Sequence, residues 1–285
     1  MTRAGTATVV DREMFPSAAG PVSVHSVFRA AANLATPAGL VTLVAASRPA
    51  GPRTVVTDLA ALDALALEPG QTGDLSATRL RLGALDLDLT GATAWRPTGL
   101  DGPIRRDALG QLADRLDGVR LGDGPTPSTA EPTPFQAAVA AGLAAGTRDF
   151  TDAVARSHRD DARIAATRLL GLGHGLTPSG DDWLAGFVLV AHHAPDRLGT
   201  ATAAVDDAAR PGTTVDVSLS ILTNALQGRA IDPLHRLLAA LTRPAGTGID
   251  EALAALADVG HSSGTDMALG LLAAAHLTTN PQGAQ

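Results

Sequence analysis

Residues 171–182, GLGHGLTPSGDD, set two adjacent carboxylates, Asp181 and Asp182, directly behind a loop in which Gly171, Gly173 and Gly175 alternate. Glycine lets a backbone double back and approach a ligand closely. Thr177 suits the N-cap of a helix and Pro178 its first position. The apolar run 183–191 then continues as a helix whose unpaired N–H groups and positive dipole end face the loop. The chemistry implied is an anion or metal cradle. Backbone N–H groups and hydroxyls at Gly173, Gly175, Thr177, Ser179 and Gly180 are the expected ligand contacts. His174 lies inside the loop, where it could act as acid, base, hydrogen-bond donor or metal ligand. A loop histidine is as often a plain surface residue.

Residues 260–270, GHSSGTDMALG, repeat part of this pattern. A shift of 84 positions superposes Ser179 on Ser263, Gly180 on Gly264, Asp182 on Asp266, Gly186 on Gly270, Ala191 on Ala275 and His192 on His276. Each copy runs Ser-Gly-x-Asp with a glycine four residues after the aspartate, on the same helix face. That glycine would admit another helix or a ligand close beneath the carboxylate. Two matched helix starts converging on one site are therefore expected, with Ser262, Ser263 and Gly264 as further ligand contacts and His261 and Asp266 as further acid–base candidates.

Taken singly, these residues have plainer roles. A first-turn aspartate complements the helix dipole by about 0.3–1 kcal/mol, and serine is a common cap. Stability alone does not call for a run of alternating glycines, so the block as a whole reads as functional. As a metal set, Asp181, Asp182, Asp266, His174 and His261 would favour Mg²⁺ over zinc because oxygen donors dominate. The spacing is not a zinc motif, anion binding ranks above metal, and no cofactor is assigned beyond a Mg²⁺ option. His25 and Ser26, inside the strand-like VSVHSVF, are either a ligand contact or the solvent face of an edge strand. Asn224 and Arg229, near the end of a predicted helix, are within possible reach of the site.

Composition narrows the chemistry. The 285 residues carry a net charge of −7, and no basic cluster stands out, which argues against nucleic acid and anionic membranes as partners. There is no Cys, Tyr or Lys, so all 22 basic residues are Arg. That excludes thiolate, Schiff-base and tyrosine-base chemistry. The opening residues lack the pattern of a secretory signal, and the apolar stretches are too short to span a bilayer, so a cytoplasmic location is expected.

The elements that must position these groups read as α+β: a β-rich N-terminal domain over 1–121 and an all-α domain over 135–285, joined by a Pro-rich linker at 122–134. Short β-branched runs at 22–34, 40–45 and 54–57 read as strands, as does the alternation RLRLGALDLDL at 79–89. Helical spacing marks 104–116. From residue 135 onward the Ala-rich sequence predicts helices at 135–145, 148–170, 178–192, 199–209, 215–226, 233–241, 250–258 and 262–276.

At GLGHGLTPSGDDWLAG (171–186) and GHSSGTDMALG (260–270) the chain resembles a bacterial family long labelled as a domain of unknown function, whose best-known member is the AllH-type subunit of oxamate carbamoyltransferase. VHSVF at 24–28 and the segment from Ser218 to Ala240 add to the likeness, and His174 stands where relatives carry small or turn-forming residues. The resemblance implies a place in allantoin-type nitrogen catabolism, where the complex cleaves oxalurate with phosphate to oxamate and carbamoyl phosphate, together with other carbamoyltransferase subunits. The small anions of that reaction fit the cradle. Three hypotheses stand at this point: a carbamoyltransferase subunit that binds a small anionic substrate, a non-catalytic partner that completes or regulates another protein's active site, and a Mg²⁺-dependent amide hydrolase.

Overall fold

A computed structural model describes residues 3–123 and 131–279. The chain divides into two compact units, Met1–Pro97 and Thr98–Gln285, each with its own apolar core. Residues 98–121 fall in the second unit, where Ala108, Leu109 and Leu112 join the helical core. Much of the expected linker, 124–130, lies outside the described residues.

The first unit carries strands β1 (Arg3–Val10), β2 (Gly20–Val27), β3 (Ala31–Thr36), β4 (Gly39–Val44), β5 (Thr54–Thr57), β6 (Thr72–Leu75), β7 (Arg79–Leu82), β8 (Leu85–Asp88) and β9 (Thr93–Ala94), with one short helix, α1 (Phe15–Ala18), after β1. The order is β5-β4-β3-β2-β6-β7-β8-β1-β9, and β1 pairs back onto β5. This closure overturns the expected α+β class. Eight strands form a barrel that encloses its own core, and what stands of the expectation is the order, a β-rich unit followed by a helical one. The means of closure is β1. Its first half runs parallel to β8 and its second half parallel to β9, while its other edge takes β5 antiparallel across a register shift between Ala7 and Val9. A bulge of this kind bends a strand and re-aims its edge. Alternate residues such as Val22 and Val24, Val41 and Leu43, Leu80 and Leu82, and Leu85 and Leu87 fill the interior, as side chains fill any small barrel. The run 79–89 is a hairpin, not one strand: Gly83 takes a φ of 56° and turns β7 into β8.

The second unit contains α2 (Arg106–Arg115), α3 (Pro134–Ala155), α4 (Arg159–Leu169), α5 (Ser179–His193), α6 (Pro195–Ala208), α7 (Asp216–Leu226), α8 (Asp232–Ala240), α9 (Ile249–Ala257) and α10 (Ser263–Thr279). The expected break near residue 146 is absent, and α3 runs on to Ala155. Gly146 faces α4 there, and a Cβ on it would lie 2.7 Å from a Leu169 methyl, so it is a close-packing glycine and not a stop. The chain turns instead at Ser157, with a φ of 57°. Helix α5 is buried on every side from Ser179 to Ala191, as befits a helix that is apolar all round from Trp183 to Ala191, and its burial takes in Ser179, Asp181 and Asp182 at its start. It is gripped by α10, α7 and α6. Phe150, Trp183 and Phe187 pack there ring against ring at 5.1–5.8 Å. Among the described residues no helix is long and apolar enough to cross a membrane.

Candidate functional site

The two similar motifs open α5 and α10, and these helices cross at their matched glycines. A Cβ on Gly186 would lie 1.9 Å from the carbonyl oxygen of Met267 and 3.0 Å from the backbone nitrogen of Leu271. A Cβ on Gly270 would lie 1.9 Å from the carbonyl oxygen of Trp183 and 3.1 Å from the nitrogen of Phe187. The 84-residue shift maps Trp183 onto Met267 and Phe187 onto Leu271, so the contact is reciprocal and α5 and α10 are related by local pseudo-twofold symmetry. Backbone touches backbone because neither helix carries a side chain at the crossing.

About two turns before the crossing, the helix starts meet. The hydroxyls of Thr177 and Ser263 lie 2.7 Å apart. Pro178, not Thr177, occupies the N-cap of α5, with φ −57° and ψ 141°, and makes no side-chain cap bond. The Pro178 carbonyl accepts from the N–H groups of Asp181 (3.0 Å) and Asp182 (3.2 Å), and Gly180 N–H donates to Leu172 (2.9 Å). At α10, Gly264 N–H donates to Val259 and Asp266 N–H to Ser262. The expected row of free amides is thus largely engaged, and an approaching ligand would meet hydroxyls first. Gly173 lies over this start with a φ of 136°, and a Cβ there would fall 2.4 Å from the Ser179 nitrogen. Only glycine permits both that dihedral and that approach.

The three aspartates part ways. Asp181 is a brace for the loop. One of its oxygens accepts from Gly171 N–H at 2.9 Å, and the other from the Thr214 hydroxyl. Burial raises its pKa, and the hydrogen bonds from Thr214, Gly171 and Ser218 pull it back. Asp182 and Asp266 face each other's motif. Both are buried, at 1% and 0% exposure. Burial holds Asp182 well above the usual carboxylate range, the hydroxyls of Ser263 and Thr177 lower it in part, and the charges of Asp266 and Asp181 raise it further. Neither hydroxyl makes a well-formed hydrogen bond, so both Asp182 oxygens remain without a partner among the described residues. Burial pushes Asp266 up to about 6, against the lowering effect of Gly122 N–H and the hydroxyls of Ser179 and Ser262. Its Oδ1 accepts from Gly122 N–H at 2.8 Å, while its Oδ2 has no partner. The serines exchange across the crossing: Ser263 serves Asp182, and Ser179 serves Asp266.

His174 and His261 are exposed, and His174 touches the edge of Phe135 at 5.5 Å. His25 is exposed on β2, in the barrel unit, with its Nδ1 3.1 Å from the Ser26 hydroxyl, which in turn accepts from Asn33. Asn224 donates back to Ser220 on its own helix. Arg229 stands close enough to His235 to oppose its protonation. Sequence reasoning missed Gly122, Thr214 and Ser218. None sits in either glycine-rich motif, although Ser218 opens the family-like segment 218–240, and each reaches the helix starts only through the folded chain.

Residues 169–275 match the family model described as oxamate carbamoyltransferase subunit AllH, and residues 6–94 match the AllH family N-terminal domain. No solved structure matches the chain.

Proposed function

The chain belongs to the AllH family of oxamate carbamoyltransferase subunits, and on that premise we propose that the junction of α5 and α10 is where it binds a small anion of the carbamoyl-transfer reaction: oxalurate, phosphate or carbamoyl phosphate. The observation that carries this reading is the 2.7 Å contact between the hydroxyls of Thr177 and Ser263, which joins two like motifs into one cluster of hydroxyls and carboxyls.

In the transfer, a phosphate oxygen attacks the ureido carbonyl, the C–N bond to the oxamate nitrogen breaks, and that nitrogen takes up a proton as carbamoyl phosphate leaves. No covalent enzyme intermediate is required. The work is placement of phosphate against the carbonyl and stabilisation of charge on the carbonyl oxygen. Thr177, Ser179, Ser262 and Ser263 supply the hydroxyl donors, and the loop at 173–175 supplies backbone N–H groups. Asp182 and Asp266 lie beside these hydroxyls and fix their orientation, and the proton that the departing nitrogen needs comes from the attacking hydrogen phosphate.

Membership in a subunit family brings other subunits as partners. The exposed Phe135 (68%) and Leu176 (46%) beside the glycine loop favour a second reading, in which this chain completes a site whose chemistry lies on a partner. The assembled complex separates the two. Under the first reading, Ser263→Ala raises KM for oxalurate or phosphate about tenfold, the worth of one hydrogen bond, and Asp182→Asn abolishes turnover while the complex stays intact. Unchanged turnover in assembled Asp182→Asn would leave only the second.

A further inference from the structure

We propose that Asp182 and Asp266, with the hydroxyls of Ser179, Ser263 and Thr177, form a binding site for one hard divalent cation, Mg²⁺ in the cell. The proposal rests on the reading of this junction as the substrate site and adds what holds an anion there.

Three buried carboxylate oxygens, both of Asp182 and Oδ2 of Asp266, have no hydrogen-bond partner among the described residues. Native proteins rarely leave such groups unmet, because burying an uncompensated charge is costly. Among the described residues no arginine or histidine is a cause of either carboxyl's shift. The groups that act on the two are hydroxyls, the Gly122 N–H and other aspartates. No side chain among the described residues thus supplies positive charge to the pair, and a divalent ion would balance the two carboxylates.

The donors are all oxygen, from carboxylates and hydroxyls, which suits Mg²⁺ or Ca²⁺ and not the softer metals. They come from both motifs, three from the first and two from the second, and interlock, with Ser263 of α10 beside Asp182 of α5 and Ser179 of α5 beside Asp266 of α10. An ion between them would draw on both helix starts at once. The larger set suggested by sequence shrinks accordingly. Asp181 is committed to Gly171 and Thr214, and His174 and His261 are exposed. The ion also resolves an electrostatic conflict, since phosphate or a carboxylate substrate cannot settle beside two bare carboxylates. A cation that keeps open coordination positions can take ligands from both sides.

The full chain, stripped with chelator, is titrated with MgCl₂ and MnCl₂ by calorimetry, thermal melting and Mn²⁺ paramagnetic resonance. The expected result is one ion per chain. The melting transition should rise by about 5–10 °C at a hundredfold excess over Kd. Asp182→Asn and Asp266→Asn should each weaken binding more than tenfold. Both variants should melt no lower than the metal-free parent, since an amide matches the shape of the carboxyl and carries no charge to bury, so weak binding will not reflect misfolding. No saturable binding at millimolar Mg²⁺ or Mn²⁺, or binding unaltered in both variants, overturns the proposal. So do protonated-carboxyl infrared bands that persist at saturating Mg²⁺. Adding oxalurate or phosphate separates the two ideas. Anion binding that is equal with and without the ion ends the cation proposal and spares the anion site. Ion binding with no anion affinity does the reverse.

Discussion

The crossing of α5 and α10 makes a sharp demand on Gly186 and Gly270. At each, an added Cβ would stand 1.9 Å from a carbonyl oxygen of the opposite backbone, about 1.5 Å short of ordinary contact. A flexible side chain could swing away, but a helix backbone cannot. Alanine at either position must therefore push the two helices apart. Overpacking a tight core costs about 1–3 kcal/mol, and contact with immobile backbone belongs at or above the upper end. Against this, alanine improves helix propensity by about 1 kcal/mol. Gly186→Ala and Gly270→Ala should each cost about 2 kcal/mol, which lowers the melting temperature of the helical unit by about 4–8 °C. Because one displaced crossing relieves both clashes, the double variant should lose clearly less than the sum. Gly199→Ala in α6, where nothing lies within 4 Å of the new Cβ, should instead gain up to about 1 kcal/mol. Urea unfolding of the four proteins against the parent is the assay. Singles as stable as the parent, or strict additivity in the double, would refute the reciprocal crossing.

Asp181→Asn should keep the fold but loosen the glycine loop. The amide can accept only one of the two bonds now made by Gly171 N–H and the Thr214 hydroxyl, a loss of about 1–3 kcal/mol, checked by denaturant unfolding and by hydrogen exchange across 171–178. His235 should make the helical unit sensitive to acid. Burial, then the charges of His193 and Arg229, bring its pKa down to about 4, and its Nε2 accepts from Ala230 N–H at 3.0 Å. The folded state therefore holds the neutral ring while the unfolded chain protonates near 6.5, so its contribution is complete above pH 6.5 and is lost as pH falls toward 4. Between pH 7 and 5 this amounts to about 2 kcal/mol. His235→Gln keeps an acceptor without the titration, and unfolding free energies measured at both pH values should fall by about that much less than in the parent.

Much of the site was legible before any coordinates. The glycine loop, the repeated Ser-Gly-x-Asp and the glycine one turn later are local patterns, and residue type with spacing is enough to place them at helix starts. The family resemblance rested on the same residues. What spacing could not divide was the neighbouring pair Asp181 and Asp182. They are adjacent in sequence yet point about 100° apart on a helix, one to Gly171 and Thr214 and the other to the second motif. The N-cap moved from Thr177 to Pro178 because the Thr177 hydroxyl found Ser263, a partner 86 residues away.

The sequence by itself marked the first part of the chain as strands and the rest as helices, since period-two and helical repeats are properties of neighbouring residues, but it did not mark β1 or β6 and did not place the break between α3 and α4. It also determined that two motifs match. Only the tertiary structure decided that the strands close into a barrel, because the same alternation serves an open sheet and a closed one, and the choice rests on β1 reaching β5. Likewise, only the folded chain brings Gly122 to Asp266 and sets Asp182 and Asp266 among each other's serines. Such contacts join residues far apart along the chain, and no local pattern encodes which distant backbone or hydroxyl a buried carboxylate will meet.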